Sequence, residues 1–192
     1  MSHISLPSDI DIKFIEAHEG FSNRFVYPGG ISGPTIGNGI DIGHLEQSTI
    51  SMLFEGVDTA IFSRIKTGMG LKGDSAKAWT IKNRDIIMPS SILHKAVIYI
   101  YGNFWGDCIK RFKGIDTAPS YVKTAVFSCC YNRGVWNKAL AIWVPMISAS
   151  NWKGVADSLW SMQQDHPLQG IRTRRRDEAN IIYKGLKLEA PK

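Results

Sequence analysis

Three residues in the first quarter of the chain carry side chains that could do chemistry together: Glu19, Thr35 and Asp41. Glu19 precedes Gly20, while Thr35 and Asp41 flank a short glycine-rich segment, 37–39. Two carboxylates on opposite sides of a cleft are what hydrolysis of a glycosidic bond requires. The pattern therefore indicates a candidate site for that chemistry, provided that the chain brings the three side chains together.

The glycines decide whether Thr35 and Asp41 can act together, because these residues are six positions apart in the sequence. On a straight strand they would lie ~20 Å apart, too far to share a water molecule. The segment 37–39 is Gly-Asn-Gly, which is typical of a hairpin turn because these residues tolerate positive φ. A chain reversal at Asn38 would make Thr35 and Asp41 opposite partners, with Cβ atoms about 5 Å apart.

The segment before the hairpin is predicted to be a helix that carries Glu19 near its end. A capping box that begins at Ser8 predicts this helix over about 9–21. Ile12, Ile15 and Glu19 share one face at helical spacing, so the carboxylate continues an apolar stripe. A carboxylate in such a position is either paired or functional.

The remaining elements are predicted from periodicity and turn residues. A strand is expected at 24–27, turns at 28–30 and 32–34, and hairpin strands at 35–36 and 40–42. The predicted helical segments after residue 45 are 46–67, 74–84, 90–112, 119–133, 136–148, 151–162 and 171–184. This order predicts a single α+β domain over 1–192, with a small β lobe at about 23–45 and a larger helical lobe, 1–22 and 46–192, around a cleft.

Composition narrows the class of partner. The 192 residues are 44% hydrophobic, which is enough for one compact domain, and they carry a net charge of +6. A basic protein suits a polyanionic partner, either nucleic acid or an anionic cell wall. Because no nucleic-acid-binding motif is present, nucleic acid is not expected as a partner. The chain is expected to act as a monomer.

Cysteine usage and the N-terminus predict where the chain folds. Cys108, Cys129 and Cys130 are interpreted as buried thiols and not as a disulfide framework, because their number is odd and two are adjacent. Such thiols are typical of a reducing compartment. Residues 1–7 lack the pattern of a secretory signal, and no segment is apolar enough to span a membrane. No spacing indicates a metal site, and no cofactor is expected.

The ordered motifs resemble those of phage-type lysozymes, the endolysin family. The family pattern is a helix ending in Glu-Gly, an aromatic strand and Thr-Ile-Gly-x-Gly, matched here by 19–20, Tyr27 and 35–39. Residues 125–134 resemble the family's central helix with its aromatic-Asn-x-Gly turn, and 170–178 resemble its late Gly-Leu-x-x-Arg-Arg segment. The resemblance implies a lysozyme-like fold. It also implies hydrolysis of the β-1,4 bond between N-acetylmuramic acid and N-acetylglucosamine in bacterial peptidoglycan.

The second acid departs from the usual family order. The family aspartate precedes the threonine, whereas here no acid lies between Glu19 and Thr35, and Asp41 follows the threonine. This order is similar to that of pesticin, a bacteriocin with a lysozyme-like domain. The resemblance implies that Glu19 is the general acid, and that Asp41 with Thr35 positions a water and stabilises the transition state. The candidate substrate-binding residues are Tyr27, Asn38, Tyr131, Asn132 and Arg133.

The resemblance also implies how such an enzyme reaches its substrate. An endolysin or an antibacterial effector would be made in the cytoplasm without a signal peptide. It would act in the periplasm or cell wall after delivery by a holin, a phage or a secretion system. An immunity or inhibitor protein would be a further partner of such a toxin.

Several alternatives stay open. A lytic transglycosylase, which needs a single acid/base, or another glycan hydrolase could use the same scaffold, as could a non-catalytic wall-binding module. Each candidate catalytic residue also has a structural interpretation: Glu19 as an ion pair at a helix end, Asp41 as a hairpin or cap residue, and Thr35 as an ordinary strand residue. Glu16 is a competing acid on a similar helix face, but it lacks the following glycine.

The remaining charged and aromatic residues are interpreted mainly as structural. His18 and His44 are expected to be surface or packing residues. The four arginines within 172–176 are expected to form a solvated helix face or, alternatively, to attract the anionic wall or form an ion pair under the cleft. The tryptophans expected in the core are Trp79, Trp105, Trp136 and Trp143.

Overall fold

The computed structural model describes residues 5–191. Residues 1–4 lie outside the described residues. They are part of the segment 1–7, which lacks the pattern of a secretory signal. The described chain divides into two compact units. The first contains residues 5–18 and 102–191, and the second contains Glu19–Tyr101.

Helices make up most of the described chain, as the sequence predicts. The α-helices of residues 5–191 are α1 (Ile12–Glu19), α2 (Gln47–Leu53), α3 (Thr59–Lys66), α4 (Gly73–Lys82), α5 (Ser90–Arg111), α6 (Ser120–Arg133), α7 (Trp143–Ser148), α8 (Trp152–Ser161) and α9 (Gln169–Gly185). Two 3₁₀ helices span Ile115–Thr117 and Lys138–Ile142. Within 5–191, none of the helices combines the length and the apolar character that crossing a bilayer needs.

A three-stranded antiparallel sheet lies in the second unit and holds two of the three candidate catalytic residues. Its strands, in spatial order, are β1 (Ser22–Val26), β2 (Thr35–Gly37) and β3 (Ile40–Asp41). Thr35 pairs with Asp41, so the predicted chain reversal at Asn38 is confirmed. The reversal uses φ values of 64° at Gly37 and 104° at Gly39, a region of backbone conformation that favours glycine.

The helix that carries Glu19 is shorter than the predicted 9–21. The side chain of Asp11 accepts a hydrogen bond from the N–H of Phe14 at 3.1 Å. Asp11 therefore caps the first turn, three positions after the predicted cap. At the other end, Gly20 adopts a φ of 69° and ends α1 directly after Glu19.

Two predicted helices are each divided in the structure. The segment 46–67 forms α2 and α3, because Gly56 turns the chain with a φ of 85° and the Asp58 side chain caps a new helix. The segment 136–148 begins with a 3₁₀ helix that Asn137 caps, followed by α7. Apolar periodicity does not mark such breaks, whereas glycine and cap residues do.

Buried aromatic side chains and thiols contribute to the core of each unit. Trp105 and Trp143 are buried in the first unit and Trp79 is buried in the second, as predicted. The three cysteines are free and buried, which confirms their interpretation as buried thiols. The prediction for Trp136 is wrong, because this residue lies in the turn after α6 and is 61% exposed. The guanidinium carbon of Arg111 lies 5.8 Å from the centre of its ring.

Candidate active site

Glu19 is the first residue of the second unit. It is the last residue of α1, and Gly20 turns the chain towards β1. The residue is half-buried, and its Oε1 atom is shielded from solvent. A carboxyl group in such a position can exchange a proton with a bound substrate in place of bulk water.

The tip of the hairpin is tied to the residue that follows Glu19. The side-chain amide of Asn38 donates a hydrogen bond to the C=O of Gly20 at 2.6 Å, and Asn38 is buried. This bond fixes the hairpin that carries Thr35 relative to the start of the second unit. Asn38 therefore has a positioning role, and its predicted contact with substrate stays a prediction.

The Asp41 carboxylate is held by backbone N–H groups from two sides. The N–H of Gly33 lies 3.1 Å from Oδ1 and 2.9 Å from Oδ2, and the N–H of Gly43 donates to Oδ1 at 2.8 Å. The Nε2 atom of His44 lies 3.8 Å from Oδ2 and hydrogen-bonds the C=O of Ile31 at 3.2 Å. These contacts fix the direction of the carboxylate, while 24% of the Asp41 side chain stays exposed and can reach a water molecule.

The Thr35 hydroxyl is fixed by the same loop. It donates a hydrogen bond to the C=O of Gly33 at 3.1 Å, and Thr35 is buried. Gly33 thus binds Thr35 through its C=O and Asp41 through its N–H. Because the hydroxyl proton is committed to Gly33, Thr35 can offer only lone pairs to a water molecule held beside Asp41.

The residues that hold Asp41 are absent from the sequence-based site. Gly33 and Gly43 are recognisable in the sequence only as turn residues, and His44 only as a surface or packing residue. The one signal that could identify them is the spacing Gly-x₇-Asp-x-Gly around Asp41. His18, predicted to be a surface or packing residue, packs against Phe14 with ring centres 4.7 Å apart, and its Nε2 lies 3.1 Å from the carboxylate of Asp177.

Gly33 tolerates no side chain. A Cβ atom there would lie 2.4 Å from Asp41 Oδ1 and 2.5 Å from Gly43 Cα. We therefore expect Gly33→Ala to lower the free energy of unfolding by about 1–3 kcal/mol and to displace the carboxylate, with a loss of activity. Urea unfolding curves measure the first effect, with Gly170→Ala as the control because a Cβ there meets no atom within 4 Å. Equal stability of the two variants would contradict the expectation.

Tyr27 closes the loop ahead of β2. Its hydroxyl donates a hydrogen bond to the C=O of Gly30 at 2.6 Å, and the side chain is half-buried. This hydrogen bond gives Tyr27 a structural role in the loop. Its predicted contact with substrate stays a prediction.

The other candidate substrate-binding residues form the last turn of α6, in the first unit. The ring of Tyr131 lies edge-on to Phe104, with ring centres 4.9 Å apart. Asn132 is exposed, and its Oδ1 accepts a hydrogen bond from Arg175 at 2.5 Å. Arg133 is half-buried, and within the described residues its Nε has no hydrogen-bond partner. Tyr131 also stacks on Phe127, with ring centres 6.1 Å apart. The predicted contacts of these three residues with substrate stay predictions.

The solvated helix face predicted for the arginines is wrong for two of them. Arg174 and Arg175 are buried and pair with Glu178, which is also buried. The ion pair of the alternative prediction is therefore confirmed for these residues, its place under a cleft stays a prediction, and Arg176 lies at the surface. Burial raises the pKa of Glu178, whereas Arg175, Arg174 and the Ser128 hydroxyl lower it.

The fold is a lysozyme-like α+β fold with a small sheet and a larger helical part, as the sequence predicts. The crystal structure of the active form of the P1 phage endolysin Lyz is similar to this chain, with a TM-score of 0.53 at 18% sequence identity. The similarity covers 93% of this chain and 86% of that chain. No family profile matches the sequence, and no curated protein does.

Proposed function

We propose that this chain is a lysozyme-type glycosidase that degrades bacterial peptidoglycan. The observation that carries the proposal is the pairing of Thr35 with Asp41 across the hairpin, in a fold similar to that of a phage endolysin. Glu19 lies in the same unit as this pair, and a hydrogen bond from Asn38 connects the hairpin to Gly20, the residue after Glu19. The bond proposed to be cleaved is the β-1,4 bond between N-acetylmuramic acid and N-acetylglucosamine.

The proposed reaction divides the work between two carboxyl groups. Glu19 donates a proton to the leaving glycosidic oxygen, so the bond to the anomeric carbon breaks with both electrons on that oxygen. Asp41, directed by backbone N–H groups, stabilises the positive charge that develops on the sugar ring. A water molecule held by Thr35 and Asp41 adds its hydroxyl to the anomeric carbon and gives its other proton to the Asp41 carboxylate. Exchange with solvent then removes that proton from Asp41 and returns one to Glu19.

The unusual order of the two acids is compatible with this reaction. A pesticin-like arrangement requires that an aspartate after the threonine can reach the position beside it. The antiparallel pairing supplies that position, because Asp41 is the direct partner of Thr35. The separation of Glu19 and Asp41 then decides the stereochemistry: about 5 Å favours retention of the anomeric configuration and about 6.5–9.5 Å favours inversion.

Analysis of the products from purified peptidoglycan tests the proposal. We expect the wild-type protein to release reducing sugar with hydrolysed muramic-acid ends, detected by mass spectrometry. Anhydro-muramic ends would instead indicate a lytic transglycosylase. Binding of intact peptidoglycan without any release would show a non-catalytic wall-binding module and would contradict the proposed activity.

The proposal extends to the biological setting. The chain would act on the cell wall as an endolysin or as an antibacterial effector, with peptidoglycan as its macromolecular partner. Its net charge of +6 favours contact with an anionic wall. Delivery through a holin, a phage or a secretion system, and binding of an immunity protein, are predictions of the same proposal.

A further inference from the structure

The amide of Asn132 has only one possible orientation. Its Oδ1 accepts a hydrogen bond from a terminal nitrogen of Arg175 at 2.5 Å. Because a guanidinium group carries donors and no acceptor, the amide must present its oxygen to Arg175. Nδ2 and its two N–H donors therefore point away from the arginine, on an exposed residue. No hydrogen-bond partner for Nδ2 is found within residues 5–191.

Arg175 is itself immobilised. It is fully buried, and its other terminal nitrogen donates to Glu178 Oε2 at 2.6 Å. The second oxygen of Glu178 accepts from the Ser128 hydroxyl at 2.6 Å and from Arg174 Nε at 3.1 Å. Ser128 lies one turn before Asn132 on α6, so the same helix holds both ends of the network. The direction of the Asn132 amide is thereby fixed by the packing of α9 against α6.

Stability alone gives a weak reason for this buried network. Burial raises the pKa of Glu178, because removing a carboxylate from water disfavours its charged form, while Arg175 and Arg174 lower this pKa. Apolar side chains of similar volume often stabilise a helix pair at least as well as a buried ion pair. The network also holds one exposed side chain, that of Asn132, in a fixed orientation. Orienting this side chain is therefore a second role that the network can have.

We propose that Arg175 is a positioning residue that aims the two N–H donors of Asn132 at an acetamido carbonyl of the glycan. This inference rests on the proposed function, and it specifies the chemistry of one ligand group. The site must take an acceptor, because it offers only donors. A carbonyl oxygen can accept hydrogen bonds from these donors. The ammonium of a de-N-acetylated sugar has no acceptor to offer, and its positive charge would be repelled by Arg133 and Arg175. The chain should therefore prefer N-acetylated glycan.

The variant Asn132→Asp tests the inference. Aspartate has the same shape and still accepts from Arg175, but it replaces the outward N–H donors with an acceptor oxygen. Affinity for N-acetylchitotetraose, measured by titration calorimetry in the Glu19→Gln background to prevent turnover, should fall about 10-fold or more. The thermal midpoint of unfolding should not fall. The matched control is Asn151→Asp, which carries the same charge change at a helix cap that needs only an acceptor.

A second variant tests the part assigned to Arg175. Arg175→Lys should weaken binding of the same probe in the Glu19→Gln background, and it should cause no further loss when Asn132 is already aspartate. This non-additivity is expected because both changes act through one amide group. Full additivity would show that Arg175 does not act through Asn132.

Other outcomes overturn the inference. Unchanged affinity of Asn132→Asp would do so, as would equal binding of N-acetylchitotetraose and its de-N-acetylated form, or no binding of the acetylated probe. Failure of the proposed function is separate, because it is measured as the absence of reducing-sugar release from peptidoglycan by the wild-type protein. Binding without release would keep this inference and refute the glycosidase.

Discussion

Glu19→Gln is expected to abolish the release of reducing sugar from peptidoglycan while the protein stays folded. Glutamine has the same size and can keep hydrogen bonds at the end of α1, but its amide N–H groups are far too weakly acidic to protonate a leaving oxygen. General acid catalysis contributes typically ~10²–10⁴-fold to a rate. Because Glu19 is half-buried at a helix end, a neutral side chain of the same shape should be tolerated there.

The control for this variant is the neighbouring acid on the same helix. Glu16→Gln removes the same charge three residues earlier on α1, and we expect it to keep most of the activity. Initial rates and thermal unfolding would be measured for both variants. Full activity in Glu19→Gln would remove Glu19 from the mechanism, and a loss confined to Glu16→Gln would transfer the role of acid to that residue.

Asp41→Asn is expected to produce the second large loss of activity. The amide cannot carry the negative charge that stabilises an oxocarbenium-like transition state, so we expect kcat to fall ~10²-fold or more. It also disturbs the loop, because an amide nitrogen in place of either oxygen would face a backbone donor from Gly33 or Gly43. A modest loss of stability should therefore accompany the loss of activity.

Unfolding measurements separate the loss of catalysis in Asp41→Asn from its loss of stability. The loss in kcat should greatly exceed the fraction of unfolded Asp41→Asn, as measured by circular dichroism at the assay temperature. Asp107→Asn, which removes the same charge from an exposed ion pair with Lys110, should keep full activity. Asp41→Asn that remains active and yields anhydro ends would favour a transglycosylase with a single acid, and Asp41 would then be a structural loop residue.

The parts of the site that could be predicted from the sequence depend on local rules. The pairing of Thr35 with Asp41 follows from the Gly-Asn-Gly turn and the two-residue period of strands, which involve only neighbours in the chain. The position of Glu19 at a helix end follows from the apolar stripe and the next glycine. These rules need no knowledge of the rest of the fold.

The parts that could not be predicted depend on close approach between distant segments. Gly33 looks like any turn glycine until its backbone meets the carboxylate eight residues later. Arg174 and Arg175 look like a charged surface stripe, because Ser128, a partner of Arg174, lies 46 residues earlier and Asn132, a partner of Arg175, lies 43 residues earlier. Trp136 looks like a core residue by its type, and only the end of α6 places it in an exposed turn. Tertiary contacts of this kind leave no periodic trace in a sequence.

The two hydrogen bonds of Gly33 affect how the side chains of Thr35 and Asp41 move relative to each other. The C=O of Gly33 accepts a hydrogen bond from the Thr35 hydroxyl, and its N–H donates one to the Asp41 carboxylate. We therefore expect a thermal displacement of this loop to carry the hydroxyl and the carboxylate in the same direction, so that the distance between them changes less than either position. We therefore expect Thr35 and Asp41, the pair proposed to hold the water, to move together, and their mutual geometry to survive fluctuations that would misalign two side chains held by separate residues.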